Sequence, residues 1–133
     1  MFPSLRRGLV EVMHEELRLS RVEVARKLRI SQSAVSRYLY RERGASIDVS
    51  RHPELMREIK ALADEVAHGD LSWYDLESRL LRIALHALSR KYFCSYHQRL
   101  DPEVNPATCR ICPETFQVTQ APKQNPPTFQ AVD

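Results

Sequence analysis

The stretch that most constrains the fold is Arg21 to Tyr40, RVEVARKLRISQSAVSRYLY. Ala25 and Leu28 give one helix a small and then a large apolar side chain, and a second helix carries Val35, Tyr38 and Leu39 at helical spacing. Ser31 stands where the second helix should begin, as an N-cap. A small residue at Ala25 lets two steeply crossing helices approach closely. The pattern predicts two short helices joined by a tight turn.

The segment Ile30 to Leu39, ISQSAVSRYL, resembles the recognition helix of lambda-repressor-like (XRE-type) helix-turn-helix regulators. The resemblance covers about the first third of the chain. It departs from the family at Arg29, a turn position that is usually Gly; a non-Gly residue with positive φ is tolerated there at a modest cost. The resemblance implies a three-helix DNA-binding domain whose second motif helix enters the major groove of double-stranded DNA.

The outer side of that second helix carries side chains that contact nucleic acids. Gln pairs bidentately with adenine and Arg with guanine, while hydroxyl groups donate to phosphate oxygens. The predicted DNA-binding residues are Gln32, Ser33, Ser36, Arg37, Tyr40, Arg41 and Arg43, the first four reading bases and Arg41 and Arg43 holding phosphates. Taken singly, each residue is more typical of the solvated face of an amphipathic helix, whereas taken together with the motif the set favours DNA contact.

Charge is unevenly placed along the 133 residues. The net charge is only +3, but residues 1–44 hold ten Lys or Arg against five Asp or Glu. A basic N-terminal third supports DNA binding, because phosphate neutralisation supplies most non-specific affinity. The chain has no apolar run long enough to span a membrane and no secretory signal pattern, so we expect a cytoplasmic protein. Its size and lack of an acid–base or nucleophile cluster favour a non-enzyme.

Further helices are predicted on both sides of this pair. A helix ending near Leu19 should buttress the motif, and its Arg6 and Arg7 either reach DNA phosphates or lie in solvent. Ser20 with Glu23 is a capping box that fixes the start of the next helix.

Two amphipathic helices follow a linker, residues 45–52, for which a plain connector is preferred over a short extended piece. Pro53 opens the first of them and Gly69 ends it, and the second starts near Ser72. On the second helix, the side chains predicted to face the core are those of Trp73, Leu76, Leu80, Ile83, Ala84, Ala87 and Leu88.

Leu81 and Leu85 widen the apolar face of this last helix beyond what one partner helix covers. We expect a homodimer built on the two helices, because paired half-sites are the usual remedy for the weak binding of a single motif. Packing within a monomer is the alternative.

The three cysteines lie together near the C-terminus. Cys94 and His97 form Cys-x2-His, and Cys109 and Cys112 form Cys-x2-Cys after a loop of eleven residues. This spacing predicts a tetrahedral Cys3His site whose ligands suit zinc. An iron–sulfur cluster on the same ligands is the alternative, since Pro113 follows Cys112. Free thiols or a disulfide are the third possibility.

The complete prediction is an all-α chain in five parts. They are a helix-turn-helix domain (1–44), a linker (45–52), a two-helix dimerisation region (53–93), a Cys/His metal-binding knuckle (94–116) and a disordered tail (117–133). This order resembles small archaeal predicted transcriptional regulators. It implies a dimeric, sequence-specific transcriptional regulator with no small-molecule substrate identified. The alternative is a non-catalytic adaptor that contacts protein or RNA in a transcription or ribosomal assembly.

Overall fold

The computed structural model describes residues 2–116, so the tail predicted for 117–133 lies outside the described residues. The described part is all-helical and has no strand, as the sequence predicts. None of its helices combines the length and apolar composition that crossing a bilayer requires. The helices are α1 (Phe2–Glu11, continued by a π-helical turn Val12–Glu16), α2 (Arg21–Leu28), α3 (Gln32–Leu39), α4 (Pro53–His68), α5 (Trp73–Ser89), α6 (Cys94–Leu100) and α7 (Ile111–Thr115).

Helix starts are fixed by local caps. The Ser20 hydroxyl accepts a hydrogen bond from the Glu23 N–H at 3.1 Å, and the Glu23 carboxylate accepts one from the Ser20 N–H at 2.9 Å. This confirms the predicted capping box. The predicted caps at Ser31 and Ser72 and the Pro53 start of α4 are also present. Each serine cap stabilises its helix by about 1 kcal/mol.

One apolar core runs from Leu5 to Phe93 and joins the segments that the sequence pattern separates. Helix α1 lies at its centre and contacts α3, α4 and α5. Gly8 permits this close packing: a Cβ there would lie 3.1 Å from Cγ2 of Val49 and 3.3 Å from Cδ1 of Ile59.

The connector 45–52 contributes to this core. Ile47 and Val49 are buried, and a short 3-10 turn spans Val49–Arg51. The Ile47 N–H donates to the buried hydroxyl of Ser4 on α1 at 3.3 Å. The connector is therefore fastened to α1 by an apolar contact and a backbone bond together.

Helix α5 buries most of its predicted inward face, but not the start of it. Leu76, Leu80 and Ile83 are buried, whereas Trp73 is 53% exposed and meets the ring of Tyr74 edge-on at 5.1 Å. The prediction that Trp73 points inward was wrong. The apolar period of α5 continues to its first residue, but the packing against neighbouring elements does not reach that far. Leu81 remains 47% exposed.

The C-terminal helices are attached through the end of α5. The Tyr92 hydroxyl donates to the Glu54 carboxylate at 2.6 Å, and the Tyr92 ring stacks on His52 at 4.6 Å. The hydrogen bond from Tyr92, with the nearby Arg90 charge, lowers the pKa of Glu54. Phe93 is buried, and α7 packs on α5.

A stability test follows from Gly44, whose φ of +77° suits glycine. A Cβ at this position would overlap the Pro3 carbonyl oxygen and would lie 2.9 Å from Cβ of Arg7. We expect Gly44→Ala to lower the free energy of unfolding by about 2–4 kcal/mol, measured by urea denaturation. The control Gly69→Ala, where φ is −144° and the nearest atom lies 3.3 Å away, should change it by less than about 1 kcal/mol. Equal losses in the two variants would contradict the strain argument.

Candidate nucleic-acid interface and metal centre

Helices α2 and α3 are joined by a three-residue turn, 29–31. Arg29 adopts the left-handed conformation, with φ 57° and ψ 40°, at the position where the resembled family usually has Gly. The Ile30 N–H donates to the Ala25 carbonyl at 3.0 Å and closes the end of α2. A non-Gly residue in this conformation costs roughly 1–2 kcal/mol, which the closed turn offsets.

The inner sides of α2 and α3 are fixed by burial. Val24 and Ala25 on α2 and Val35 and Tyr38 on α3 are buried, and the two helices contact each other. Helix α3 also packs on α1. Its orientation is thus set from two directions, and its remaining side lies in solvent.

The predicted DNA-binding residues lie on that free side and in the turn that follows it. Ser36 is half-buried, and the exposed members of the set are Gln32, Ser33, Arg37, Tyr40, Arg41 and Arg43. Arg41 takes a left-handed backbone with φ 59°. The Arg43 guanidinium lies 5.7 Å from the ring centre of Tyr38, a cation–π contact that orients it. Most of the set is therefore exposed and polar or basic, and Arg41 also lines a hollow with Arg7, Glu11 and Asp48.

Arg21 belongs to this surface, although sequence reasoning missed it. Its guanidinium donates to the Ser36 hydroxyl at 3.3 Å and to the Tyr40 hydroxyl at 3.4 Å. It also lies 5.3 Å from the Tyr40 ring centre. The one sequence signal for this role is the place of Arg21 as the first residue of α2, directly after the Ser20 cap. The contact itself depends on how α2 and α3 cross, which the sequence pattern does not give.

Arg6 and Arg7 do not lie free in solvent. Arg6 donates to both carboxylate oxygens of Glu77 on α5, at 2.8 and 2.9 Å. Arg7 is buried, and its Nε lies 3.3 Å from Oε1 of Glu11. Both side chains are engaged within the molecule, so neither adds to the free basic surface.

The four predicted metal ligands come from two short helices and a loop. Cys94 and His97 lie on the first turn of α6, Cys112 lies in α7, and Cys109 lies in the loop before α7. Cys94, His97 and Cys112 line one hollow of about 260 Å³. Its walls are mostly apolar and include Ile47, Leu88, Phe93, Tyr96 and Leu100.

The thiols influence one another but do not form a complete ligand set. Burial raises the pKa of Cys94 and of Cys112; the Lys91 charge offsets part of this at Cys94, and the neighbouring thiols raise both pKa values further. All three cysteines are free. Within residues 2–116, however, no three His, Cys, Asp or Glu side chains are placed so that they could hold a metal ion. The donor types suit zinc, and the arrangement brings them near each other without gathering them to ligand distance.

Comparison with protein-family models, curated proteins and solved structures gave no match for this chain. The resemblance to XRE-type regulators therefore rests on the motif residues and their spacing. Function has to be inferred from the surfaces described above.

Proposed function

We propose that the protein is a sequence-specific DNA-binding transcriptional regulator in which α2 and α3 act as a helix-turn-helix. The observation that carries this proposal is the free side of α3, where polar and basic side chains project from a helix whose other sides are packed. A helix with one exposed polar face, held rigidly on a small domain, is what major-groove recognition requires.

Roles within this surface follow from side-chain chemistry. Gln32 and Arg37 offer bidentate donors to base edges, with Ser33 and Ser36 beside them. Arg41 and Arg43, in the turn after α3, contact phosphates. Tyr40, oriented by Arg21, donates its hydroxyl to a phosphate oxygen.

Two arginine variants test these roles on a duplex selected from a random-sequence library. Arg37→Ala should cost about 1–3 kcal/mol on the selected site and relax the preference at one base position. Arg41→Ala should weaken all duplexes alike and reduce the slope of log affinity against log salt by about 1. Both are measured by fluorescence anisotropy at several salt concentrations.

Arg82→Ala is the matched control, since Arg82 is an exposed arginine on α5, away from α3. It should leave affinity and preference unchanged. If the Arg37→Ala protein keeps the affinity and the sequence preference of the parent, α3 does not contact the bases and the proposed role of α3 is wrong.

The second candidate is a non-catalytic adaptor that contacts protein or RNA. Large apolar side chains exposed away from α3, such as Tyr74 and Ile111, favour it. The salt titration separates the two candidates. A steep slope on duplex DNA supports the regulator, whereas tighter binding to single-stranded RNA than to any duplex supports the adaptor.

We propose further that Cys94, His97, Cys109 and Cys112, which lie near one another but are not gathered to ligand distance, close around one zinc ion when it binds. Helices α6 and α7 have no fully buried residue, so packing stabilises this segment little. A bound ion would supply the missing cross-link between the two helices. An iron–sulfur cluster on the same residues is the alternative; it would add sensitivity to oxidation or iron supply.

The metal content of the purified protein decides whether these residues hold zinc or an iron–sulfur cluster. Protein purified without oxygen should contain about one zinc per chain by elemental analysis. His97→Ala should lower that content, because it removes a ligand, while His68→Ala, an exposed histidine of α4, should not. If the protein contains iron with acid-labile sulfide instead of zinc, the residues hold an iron–sulfur cluster. Absence of both metals from freshly purified protein would refute the site.

The third proposal is a homodimer that covers the exposed side of α5. Trp73 and Tyr74 at the start of α5 and Leu81 in its middle are large apolar side chains left in solvent. Such exposure is uncommon in a monomer and typical of protein interfaces.

Sedimentation of Leu81→Lys tests the dimer. The variant should shift the molecular mass from dimer to monomer, because a charge in an apolar interface is unpaired. Val22→Lys places the same charge at another exposed apolar residue, on α2, and should remain dimeric. A monomeric parent protein at micromolar concentration would contradict the proposal.

A further inference from the structure

The connector 45–52 contacts α6, the short helix that carries two of the proposed metal ligands. The Arg99 guanidinium on α6 donates to the Ser46 carbonyl at 3.4 Å, and a cation–π contact places it 5.6 Å from the ring centre of Tyr96. Ile47 is buried and forms part of the wall of the hollow that three of the proposed ligands also line. The connector and the proposed metal site therefore share a boundary.

The same connector follows directly after the turn that holds the proposed phosphate contacts. In that turn, the N–H groups of Arg41 and Arg43 donate to carbonyls of α3 at 3.1 and 3.3 Å. Residues 44–46 alone separate Arg43 from Ile47, whose own N–H is bound to the Ser4 hydroxyl. The turn and the start of the connector are thus one short stretch of hydrogen-bonded backbone, and local opening of the connector reaches the turn.

Helix α6 has little packing to stabilise it. No residue of Cys94–Leu100 is buried, and a helix this short is marginal without tertiary contacts. Segments with few buried apolar contacts open locally at a low cost in free energy. When α6 opens, the connector loses the Arg99 hydrogen bond and the wall that covers Ile47. An ion bound by the proposed ligands would order α6 and so preserve both contacts.

We propose that metal bound at the cysteine site stabilises the connector through Arg99 and Ile47, and thereby the turn that carries the phosphate contacts. Those contacts are Arg41 and Arg43. Arg99 is a positioning residue in this scheme, because it acts on the turn and does not touch DNA itself. The metal-loaded protein then binds duplex DNA more tightly, since less of the turn has to be ordered when DNA binds.

This coupling rests on the proposed DNA-binding function and on the proposed metal site. Two ligands that stabilise the same segment bind cooperatively, so DNA must raise the affinity for the metal by the same factor by which the metal raises the affinity for DNA. The effect on the turn within the protein, in contrast, does not require DNA. It can therefore be measured even if no duplex binds.

Fluorescence anisotropy of the full chain measures the coupling. The chain is freed of metal by a chelator under reducing conditions, and half of it is then reloaded with zinc. We expect zinc to raise the affinity for the selected duplex at least about fivefold. Arg99→Gln removes the charge that holds Ser46 and leaves every proposed ligand in place. The variant should bind zinc as the parent does, while its DNA affinity should change by less than about twofold when zinc is added.

Arg110→Gln is the matched control, because Arg110 is an exposed arginine of the same segment, next to Cys109. It should keep both the zinc content and the full response of DNA binding. If Arg99→Gln responds to zinc as the parent does, the role of Arg99 is wrong. If Arg99→Gln loses the same affinity with and without zinc, Arg99 contacts phosphate itself, and the positioning role is wrong as well.

Amide hydrogen exchange tests the same coupling without DNA. The N–H groups of Arg41, Arg43 and Ile47 are hydrogen-bonded, so their exchange rates report local opening of the turn and the connector. Zinc should slow exchange in residues 41–47 of the parent at least about fivefold, and it should not do so in Arg99→Gln. The amides of α2 serve as the internal control and should not respond.

The two measurements separate this proposal from the proposed function. If zinc slows exchange in the turn but no duplex binds, the coupling within the protein is confirmed and the proposed function fails. If DNA and zinc both bind while exchange in the turn is unchanged, the coupling fails alone. A chain that binds no zinc overturns the coupling together with the metal site.

Discussion

The burial of α1 between the α2–α3 pair and the α4–α5 pair is the constraint on which the rest of the structure depends. Leu5, Leu9 and Met13 are fully buried within it. Gly8 brings the connector and α4 close to the helix, and Ser4 binds the connector backbone. Because α1 contacts both pairs, the free side of α3 has a defined direction relative to α5. A shift of α1 would change the positions of the free side of α3 and the apolar side of α5 together.

Features set by neighbours in sequence could be predicted, and features set by helix crossing could not. The caps at Ser20, Ser31 and Ser72 were predictable because each bond joins residues three apart on one helix. The exposed side chains of α3 could be predicted from the helical spacing of its apolar residues. The burial of Arg7 and the contacts of Arg21 depend on distant segments, and no periodic signal marks either. The cysteine spacing likewise indicates which side chains can be ligands, while their separation across the loop depends on how α6 and α7 pack.

Net charge is an incomplete guide to the basic surface of this protein. The N-terminal third has ten basic residues, but Arg6 is paired with Glu77, Arg7 with Glu11, and Arg21 is turned onto Ser36 and Tyr40. The other seven basic residues of this third are spread over the α1–α2 connection, α2, the α2–α3 turn, α3 and the turn beyond it. A count of charges therefore overstates the positive charge that is free to meet phosphates.

The π-helical turn Val12–Glu16 limits where residues can be inserted or deleted between α1 and α2. The Leu17 N–H donates to the Val12 carbonyl at 3.0 Å, five residues back, so one extra residue is accommodated in the turn. Each residue of an α-helix rotates the chain by about 100°, and the extra residue therefore sets the angle at which the chain leaves α1 toward Ser20. Removal of a single residue here would restore an ordinary helix and start α2 in a different direction. The segment between α1 and α2 thus acts as an angular spacer, and its tolerance to insertion and deletion should be far lower than that of an ordinary surface turn.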